Sequence, residues 1–360
     1  MGRLISYNPR NAFTVPGIFK KRCPMKIKAI CLIVFLALIG CDRGLVDNHG
    51  TIKTDRSLLE DYMVTAIAFA PDGTAWIGTF FQGIILVDGN QATVYNSSNS
   101  SLPDSVWIKD IQVSPTGEVW FGGNGLFKYV GDDFEQFDSS DPNLPAGRIN
   151  GIEITSDGTV WIASSTHDRG GIIQLSSDAM NTYTEENSDL PSHYINAITL
   201  DRNENLWIAF SSSGETAYLA EIADNSWTTY GEDDLGFKPY WIREIRTDNQ
   251  DQVWGIIDYS LSSAFYDARP VLFRFNRDTS QTYTLPESEK GPGLAHALMV
   301  DTYDRIWVGT SRSVHLFSDG NWTGSIEIPG ESSLYAIEQR NENETWIGTT
   351  RGILVVKSDP

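Results

Sequence analysis

Short apolar runs alternate with polar turns along most of the chain, and none of them repeats at the spacing of a helix. A tryptophan followed by small or apolar residues recurs in the same place within this pattern. The seven copies are Trp76, Trp120, Trp161, Trp207, Trp254, Trp307 and Trp346. They are separated by 39 to 53 residues. Self-similarity at such a period predicts a repeat architecture.

Each repeat contains four short apolar runs. In the first repeat, a run around Ile67 leads to a turn with Asp72 and Gly73, and Trp76 opens the second run. Asp-Gly between two such runs is typical of a β-hairpin. Residues 83–87 and 92–95 form the third and fourth runs. Four strands in forty-odd residues are typical of a propeller blade, so we predict an all-β, seven-bladed β-propeller over residues 51–358.

The ends of the chain predict how the ring closes. The last repeat stops at residues 352–356 and lacks a fourth run, whereas residues 51–54 precede the first repeat and align with the missing run. We therefore expect the N-terminal strand to complete the last blade. Closure of this kind leaves no exposed sheet edge, which favours a monomer.

The first 41 residues have the character of an export signal. Lys26 and Lys28 precede an uncharged apolar run, residues 29–39, which is too short to span a bilayer. The run ends in Leu-Ile-Gly-Cys and resembles the bacterial lipobox, which implies a lipid on Cys41 and a location in the cell envelope, outside the cytoplasm. An ordinary secretory signal is the alternative. Translation could start at Met1 or Met25, and residues 42–50 are expected to be a tether.

Charge and cysteine content narrow the function classes. The net charge is -20, and after Cys41 there are 20 basic against 47 acidic residues. This argues against binding to nucleic acid or to anionic lipid surfaces, and leaves the lipid as the expected membrane contact. All 3 cysteines lie within the first 41 residues. The body of the chain therefore has no disulfide, thiol catalyst or cysteine-based zinc site.

The repeat has the form apolar-x-x-Ile-x-x-Asp-x-x-Gly-x-x-Trp-Ile-Gly-Thr-x-x-Gly-Leu. It resembles the two-component regulator propeller repeat over residues 51–358. The resemblance implies a ligand-binding propeller like the extracellular sensors of bacterial hybrid histidine kinases, which recognise a glycan or another small ligand. This sequence carries neither a kinase nor an immunoglobulin-like module, so a stand-alone lipoprotein is expected.

Residues at the start of each first strand are the candidate ligand-binding residues, because these starts meet at one mouth of a propeller channel. Aligning the repeats on their aliphatic anchors singles out aromatic and polar side chains on either side. They are Trp107, Lys109, Arg148, Asn150, Tyr194, Asn196, Trp241, Arg243, His296 and Tyr335. A long insertion, residues 257–270, adds Tyr259 and Tyr266 to the same rim. Aromatic faces bordered by donors suit a sugar or a peptide; alternatively, the polar ring hydrates the channel.

Catalysis is the weaker interpretation. The streptogramin lyases share a seven-bladed plan and a loosely similar repeat, and His296, Glu244 and Asp110 are the acid-base candidates at the mouth. No histidine pair has metal-binding spacing, and we expect no cofactor. The acidic runs 132–133 and 232–234 are expected in turns, with at most weak Ca²⁺ binding. The prediction is therefore non-catalytic recognition of a glycan or peptide, with scaffolding of an envelope protein second and lyase-like activity third.

Overall fold

A computed structural model describes residues 45–47, 50–137, 148–165, 170–211, 217–238, 241–258, 271–286, 295–330 and 332–358. These residues form six antiparallel sheets of four strands and one sheet of five. The predicted all-β, seven-bladed propeller is thereby confirmed. Cys41, Tyr259 and Tyr266, all singled out from the sequence, lie outside the described residues.

The strands are numbered β1 to β29 in chain order. The first strands of the blades are β3 (Val64–Phe69), β7 (Ile108–Val113), β11 (Arg148–Ile154), β15 (Ile195–Leu200), β19 (Trp241–Thr247), β23 (Ala295–Val300) and β27 (Leu334–Asn341). The second strands are β4 (Ala75–Thr79), β8 (Val119–Gly123), β12 (Val160–Ser165), β16 (Leu206–Phe210), β20 (Val253–Asp258), β24 (Ile306–Thr310) and β28 (Glu344–Thr349).

The third strands are β5 (Ile84–Asp88), β9 (Leu126–Val130), β13 (Gly171–Leu175), β17 (Ala217–Ala223), β21 (Val271–Phe275), β25 (Ser313–Ser318) and β29 (Gly352–Ser358). The fourth strands of blades one to six are β6 (Gln91–Tyr95), β10 (Asp133–Phe137), β14 (Met180–Tyr183), β18 (Ser226–Gly231), β22 (Ser280–Thr284) and β26 (Asn321–Glu327). Each first strand contacts the first strand of the next blade, and β27 contacts β3. The first strands therefore line the central channel, and the ring is closed.

The recurring tryptophan lies on the second strand and fills the space between blades. All seven copies are buried, at 7% exposure or less. In four blades the indole stacks on a tyrosine of the fourth strand; Trp207 and Tyr230, for example, have ring centroids 5.5 Å apart and planes 20° apart. This packing explains why a large planar residue recurs at this one position.

The N-terminal strand closes the ring as predicted. Strand β2 (Gly50–Leu58) pairs antiparallel with β29 and is the fourth strand of blade seven. Part of the segment expected to be a tether, residues 42–50, forms a strand: β1 (Leu45–Asp47) pairs with β2 and is the fifth strand of this sheet. The open edge of β2 is a row of backbone donors and acceptors, and the preceding residues satisfy part of it.

Within the described ranges, the helical content is one short helix. Residues 232–234, expected in a turn, form the beginning of α1 (Glu232–Leu235) between blades four and five. Asp234 accepts a 2.8 Å hydrogen bond from the backbone N–H of Gly231, which caps the helix, and Leu235 is buried beneath it. In the part of the chain that the structure describes, no helix combines the length and the apolar character needed to cross a membrane.

Candidate functional site

Every first strand carries a β-bulge at the same position. In blade two, Ile108 pairs with Gly123 and Asp110 pairs with Gly122, so Lys109 is the extra residue. The same register shift occurs in the other six blades. The extra residues are Thr65, Lys109, Asn150, Asn196, Arg243, His296 and Tyr335. A bulge residue is not paired with the neighbouring strand, so its side chain can point in a different direction from that in a regular strand. Because the bulge recurs at the same position in every blade, all seven side chains lie at one end of the channel.

These seven side chains line a cavity of about 670 Å³ at the channel mouth. All ten of the described candidate residues predicted from the sequence border this cavity. The structure adds Met63, Thr65, Phe80, Ser165 and Ser211, which were not among the candidate binding residues, and Glu244, which the sequence suggested as an acid-base candidate at the mouth. Sites for small ligands typically have volumes of roughly 300–1,000 Å³. The first-strand alignment therefore gathered residues that share one concave surface.

The backbone of the rim is fixed from both sides. The N–H of Trp107 donates to Oδ1 of Asn124 at 2.9 Å, and the Trp107 carbonyl accepts from the N–H of Asn124 at 3.1 Å. Trp107 and Trp241 also form isolated antiparallel bridges with Phe80 and Ser211 of the preceding blades. Trp107 and Trp241 are thus positioned by bridges to the preceding blade, and Trp107 also by two hydrogen bonds to Asn124 of its own blade.

Two of the predicted aromatic faces are occupied by cations. The Arg148 guanidinium lies 4.0 Å from the ring centroid of Trp107, and that of Arg243 lies 5.2 Å from Trp241. Trp107 also contacts Phe80, with ring centroids 6.1 Å apart and planes at 71°. Arg148 holds the same repeat position in blade three as Trp107 holds in blade two, so this pair forms between blades, whereas Arg243 lies two residues after Trp241 in the same strand. The mouth therefore presents stacked cation–aromatic pairs rather than bare rings.

The amides of the mouth have a structural task. Asn150 donates through Nδ2 to the Ile195 carbonyl at 2.7 Å, and Asn196 donates to the Ile242 carbonyl at 2.8 Å. Thr65 donates in the same way to the Ile108 carbonyl. In each case the residue after one anchor bonds the anchor of the next blade. These side chains line the cavity and also hold neighbouring blades together.

We expect Asn196→Ala to lower the free energy of unfolding by about 1–2 kcal/mol, since it leaves the Ile242 carbonyl without this donor and removes the 2.8 Å bond from Ser211 Oγ. Urea unfolding at constant pH measures this loss. Asn321→Ala is the matched control, because its amide bonds only the Asp319 carbonyl of its own exposed turn at 2.9 Å. Equal effects of the two variants would contradict an inter-blade role.

Below the mouth, the channel narrows to a volume of about 300 Å³ that is rich in charged side chains. Glu153, Glu244, Glu338 and Asp110 surround the guanidinium of Arg246, which pairs with Glu244. Burial raises the pKa of Glu153 to about 8 and that of Glu338 to about 7, although Arg246 opposes both shifts. Burial also raises the pKa of Asp110. The strands thus confine several carboxylates around one cation.

The acid-base candidates have structural partners. Asp110 accepts hydrogen bonds from the backbone N–H of Ile111 at 2.9 Å and of Ile152 at 2.7 Å, and Glu244 is held by Arg246. His296 Nε2 lies 3.3 Å from Ser311 Oγ. Across the described residues, no group of three histidine, cysteine or acidic side chains is arranged to hold a metal ion. The three candidates border the channel without forming a recognisable catalytic constellation.

The acidic runs considered for Ca²⁺ also serve the fold. Asp133 lies in strand β10 rather than in a turn, and its carboxylate accepts from the backbone N–H and the hydroxyl of Ser101 at 2.7 and 2.6 Å. These bonds lower the pKa of Asp133. Asp234 caps α1, as described above. Both carboxylates therefore have local donors as partners.

No family model matches the sequence, and no curated protein matches it. Many solved structures share the fold. A virginiamycin B lyase from Staphylococcus aureus, solved in an inactive form with quinupristin, is 15% identical with a TM-score of 0.67, over 86% of this chain and all of the other. The extracellular domain of a hybrid two-component system of B. thetaiotaomicron is 18% identical with a TM-score of 0.62, over 85% of this chain and 41% of the other.

A third similar structure is YCF48 bound to D1 peptide, at 14% identity and a TM-score of 0.63, over 88% of this chain and 99% of the other. At these identities the likeness establishes the propeller fold alone. The similar proteins thus include a lyase, an extracellular sensor domain and a peptide-bound propeller, and they share an architecture rather than a chemistry.

Proposed function

We propose that this protein is a non-catalytic recognition module of the bacterial cell envelope that binds a small ligand, foremost a glycan, in the mouth cavity. The observation that carries this proposal is the convergence of seven bulge residues on one concave surface. The surface combines indole rings, which stack on the apolar faces of sugars, with amides and cations, which donate hydrogen bonds to sugar hydroxyls. The similarity to extracellular sensor propellers supports a location outside the cytoplasm, with Cys41 as the proposed lipid anchor.

The shape of the surface favours a small ligand over a protein partner. A scaffold would present a broad, flat apolar patch. Among the described residues, the large apolar side chains most exposed to solvent are Phe80, Phe81, Val130 and Tyr303, and the two phenylalanines alone are adjacent. The mouth is instead a bowl bordered by all seven blades. A peptide in this bowl is the alternative occupant that the experiment must separate from a sugar.

We expect Trp241→Ala to weaken ligand binding by about tenfold or more, a loss of roughly 1.4 kcal/mol, while the thermal midpoint of the free protein stays nearly unchanged. The indole is half-buried at the cavity and its backbone bridge does not depend on the side chain. A thermal-shift screen of the full chain in mild detergent, against neutral and acidic oligosaccharides and short peptides, identifies a ligand. Saturation at about a hundred times the dissociation constant adds roughly 2.7 kcal/mol of stability.

The control is Tyr303→Ala, which removes an exposed aromatic ring from the turn between β23 and β24, at the opposite end of the channel. A hit that both variants lose would not be a mouth ligand. Peptide hits without any sugar hit would replace the glycan by a peptide. Silence across the panel would contradict small-ligand recognition and favour the protein-scaffold alternative.

A further inference from the structure

The charges at the mouth oppose the charge of the whole chain. The protein has a net charge of -20, yet Lys109, Arg148, Arg243 and His296 converge on this cavity, with Glu244 as its acidic neighbour. A cluster of cations on an acidic protein attracts anions to one place and repels them elsewhere. The distribution therefore points to the charge of the ligand as well as to its position.

Lys109 is held in place by neutral oxygens. Its Nζ donates to Asn150 Oδ1 at 3.1 Å and to the Asn196 carbonyl at 3.2 Å. Within the described part of the chain, no carboxylate lies within 4.0 Å of this ammonium group, which has three N–H donors in total. Burial lowers the pKa of Lys109 to about 8, the positive charges of Arg148 and Arg243 act in the same direction, and the negative charges of Glu244 and Asp110 oppose the shift. An oxyanion beside Nζ would stabilise its charged form.

Arg148 complements Lys109. Its guanidinium carbon lies 4.0 Å from the ring centroid of Trp107, and a guanidinium that packs over an aromatic face keeps its N–H donors at the edge of its own plane. This edge matches the two oxygens of a carboxylate or of a sulfate ester, with which it can form paired hydrogen bonds. Arg148 and Lys109 lie on neighbouring blades, β11 and β7, and line the same cavity.

The lower channel does not cancel this positive field. Its carboxylates surround Arg246, and burial disfavours their charged forms, as the raised pKa values of Glu153, Glu338 and Asp110 show. Glu153 and Glu338, whose pKa values lie at about 8 and 7, carry less than full negative charge near neutral pH and repel an incoming anion weakly. A bowl ringed by seven strands also admits a compact ligand more readily than an extended acidic peptide.

We propose that the ligand is an acidic sugar whose carboxylate or sulfate group binds between Lys109 and Arg148. This inference rests on the proposed function, because it specifies the ligand of the same cavity. The oxyanion supplies the affinity at the cations, and the sugar ring contacts the remaining aromatic and amide side chains. A neutral sugar of the same size would bring no oxyanion to within ion-pair distance of Lys109.

Isothermal titration of the full chain in mild detergent tests this inference with three sugar probes and one peptide. The probes are trigalacturonate, the uncharged galactotriose, a sulfated carrageenan disaccharide, which carries no carboxylate, and a tri-glutamate peptide. We expect an acidic sugar to bind about tenfold or more tightly than galactotriose, and its affinity to fall as NaCl rises from about 50 to about 500 mM. The stronger of the two acidic sugars tells whether carboxylate or sulfate is the native group.

Lys109→Met and Arg148→Gln should each weaken binding of the acidic sugar about tenfold and change galactotriose binding less than about threefold. Arg351→Gln is the matched control, since Arg351 is exposed in the turn between β28 and β29, at the same end of the propeller, and does not line the cavity. Thermal midpoints of the free variants separate lost binding from lost folding.

Three results would overturn the inference, and they are distinguishable. If neutral and acidic sugars bind with equal affinity and Trp241→Ala weakens binding of both, the proposed function holds, but the ligand need not be an anion. Tighter binding of tri-glutamate than of either acidic sugar replaces the sugar by a peptide. Failure of every probe to bind overturns the proposed function and this inference together.

Discussion

Replacing Gly352 by alanine should lower the free energy of unfolding by about 3 kcal/mol or more, whereas Gly73→Ala should cost about 1 kcal/mol. Both glycines have a left-handed backbone, with φ of +85° and +89°. They differ in what a Cβ atom would meet. At Gly352 it would lie 2.2 Å from the Leu58 carbonyl oxygen and 2.6 Å from that of Leu59, whereas at Gly73 it would meet nothing within 4 Å.

The difference between these two variants isolates the closure of the ring. Leu58 is the last residue of β2, and Gly352 opens β29, its partner in blade seven. Backbone atoms cannot rotate away as a long side chain could, so the clash must displace the closing strand. Urea unfolding of both variants, followed by tryptophan fluorescence, measures the two losses. Equal losses of stability would show that the β2–β29 junction accommodates the added methyl group, and would contradict close packing of the closing strand.

The closure of the ring by the N-terminal strand could be predicted from the sequence because every repeat has its tryptophan at the same position. The second-strand tryptophan sets the start of every blade, so a missing fourth run after Gly352 and a spare run before Val64 are visible by counting. The strand β1 could not be predicted in this way, since residues 45–47 pair with β2 and lie outside the repeat. Its pairing follows from the open edge of β2, which is a property of the folded ring.

The spacing of apolar residues in the first strands carries a signal of the bulges. In a regular strand, residues that face the core recur every second position. The buried anchors of the first strands are instead three apart, as in Ile108 and Ile111, or Ile195 and Ile198. Such spacing requires one extra residue between them. The three-residue spacing therefore predicts the bulge and the exceptional position of Lys109 from the sequence alone.

The side-chain contacts between neighbouring blades could not be predicted from the sequence. Arg148 stacks on Trp107, which is 41 residues earlier in the chain, and Asn196 bonds a carbonyl of the following blade. Alignment gives the position of each residue within its own blade, but the stagger between blades decides which side chains meet. For the same reason, nothing in the sequence marks Glu153 and Glu338 as neighbours; the closed ring brings both close to Arg246.

Arg246→Met should destabilise the protein at pH 8 by about 1–3 kcal/mol. Removing one partner of a fully buried ionic group costs about 3–5 kcal/mol, but the Arg246 side chain keeps 35% of its surface accessible, so screening by channel water reduces the loss. The neighbouring carboxylates outweigh the burial of the guanidinium and raise the pKa of Arg246. Without this cation, ionised Glu153, Glu244 and Glu338 would repel one another.

The loss should depend on pH in a defined direction. Glu153 and Glu338 have pKa values of about 8 and 7 in the folded protein, above the 4.5 of a free glutamate. Groups with a raised folded pKa contribute stability that is complete below about pH 4.5 and is lost as the pH rises through about 7 to 8. The native protein should therefore lose stability over this window, and Glu153→Gln should reduce that loss.

In Arg246→Met the same carboxyl groups lack their counter-charge, so their pKa values rise further. The gap to the native protein should consequently be small near pH 5 and widen towards pH 8. Thermal midpoints across this range measure it, with Arg340→Met as the control, because Arg340 has a similar accessible fraction, 34%, and pairs with one carboxylate, Glu344, at 3.0 Å. A gap independent of pH, or one equal to that of the control, would mean that Arg246 serves packing alone.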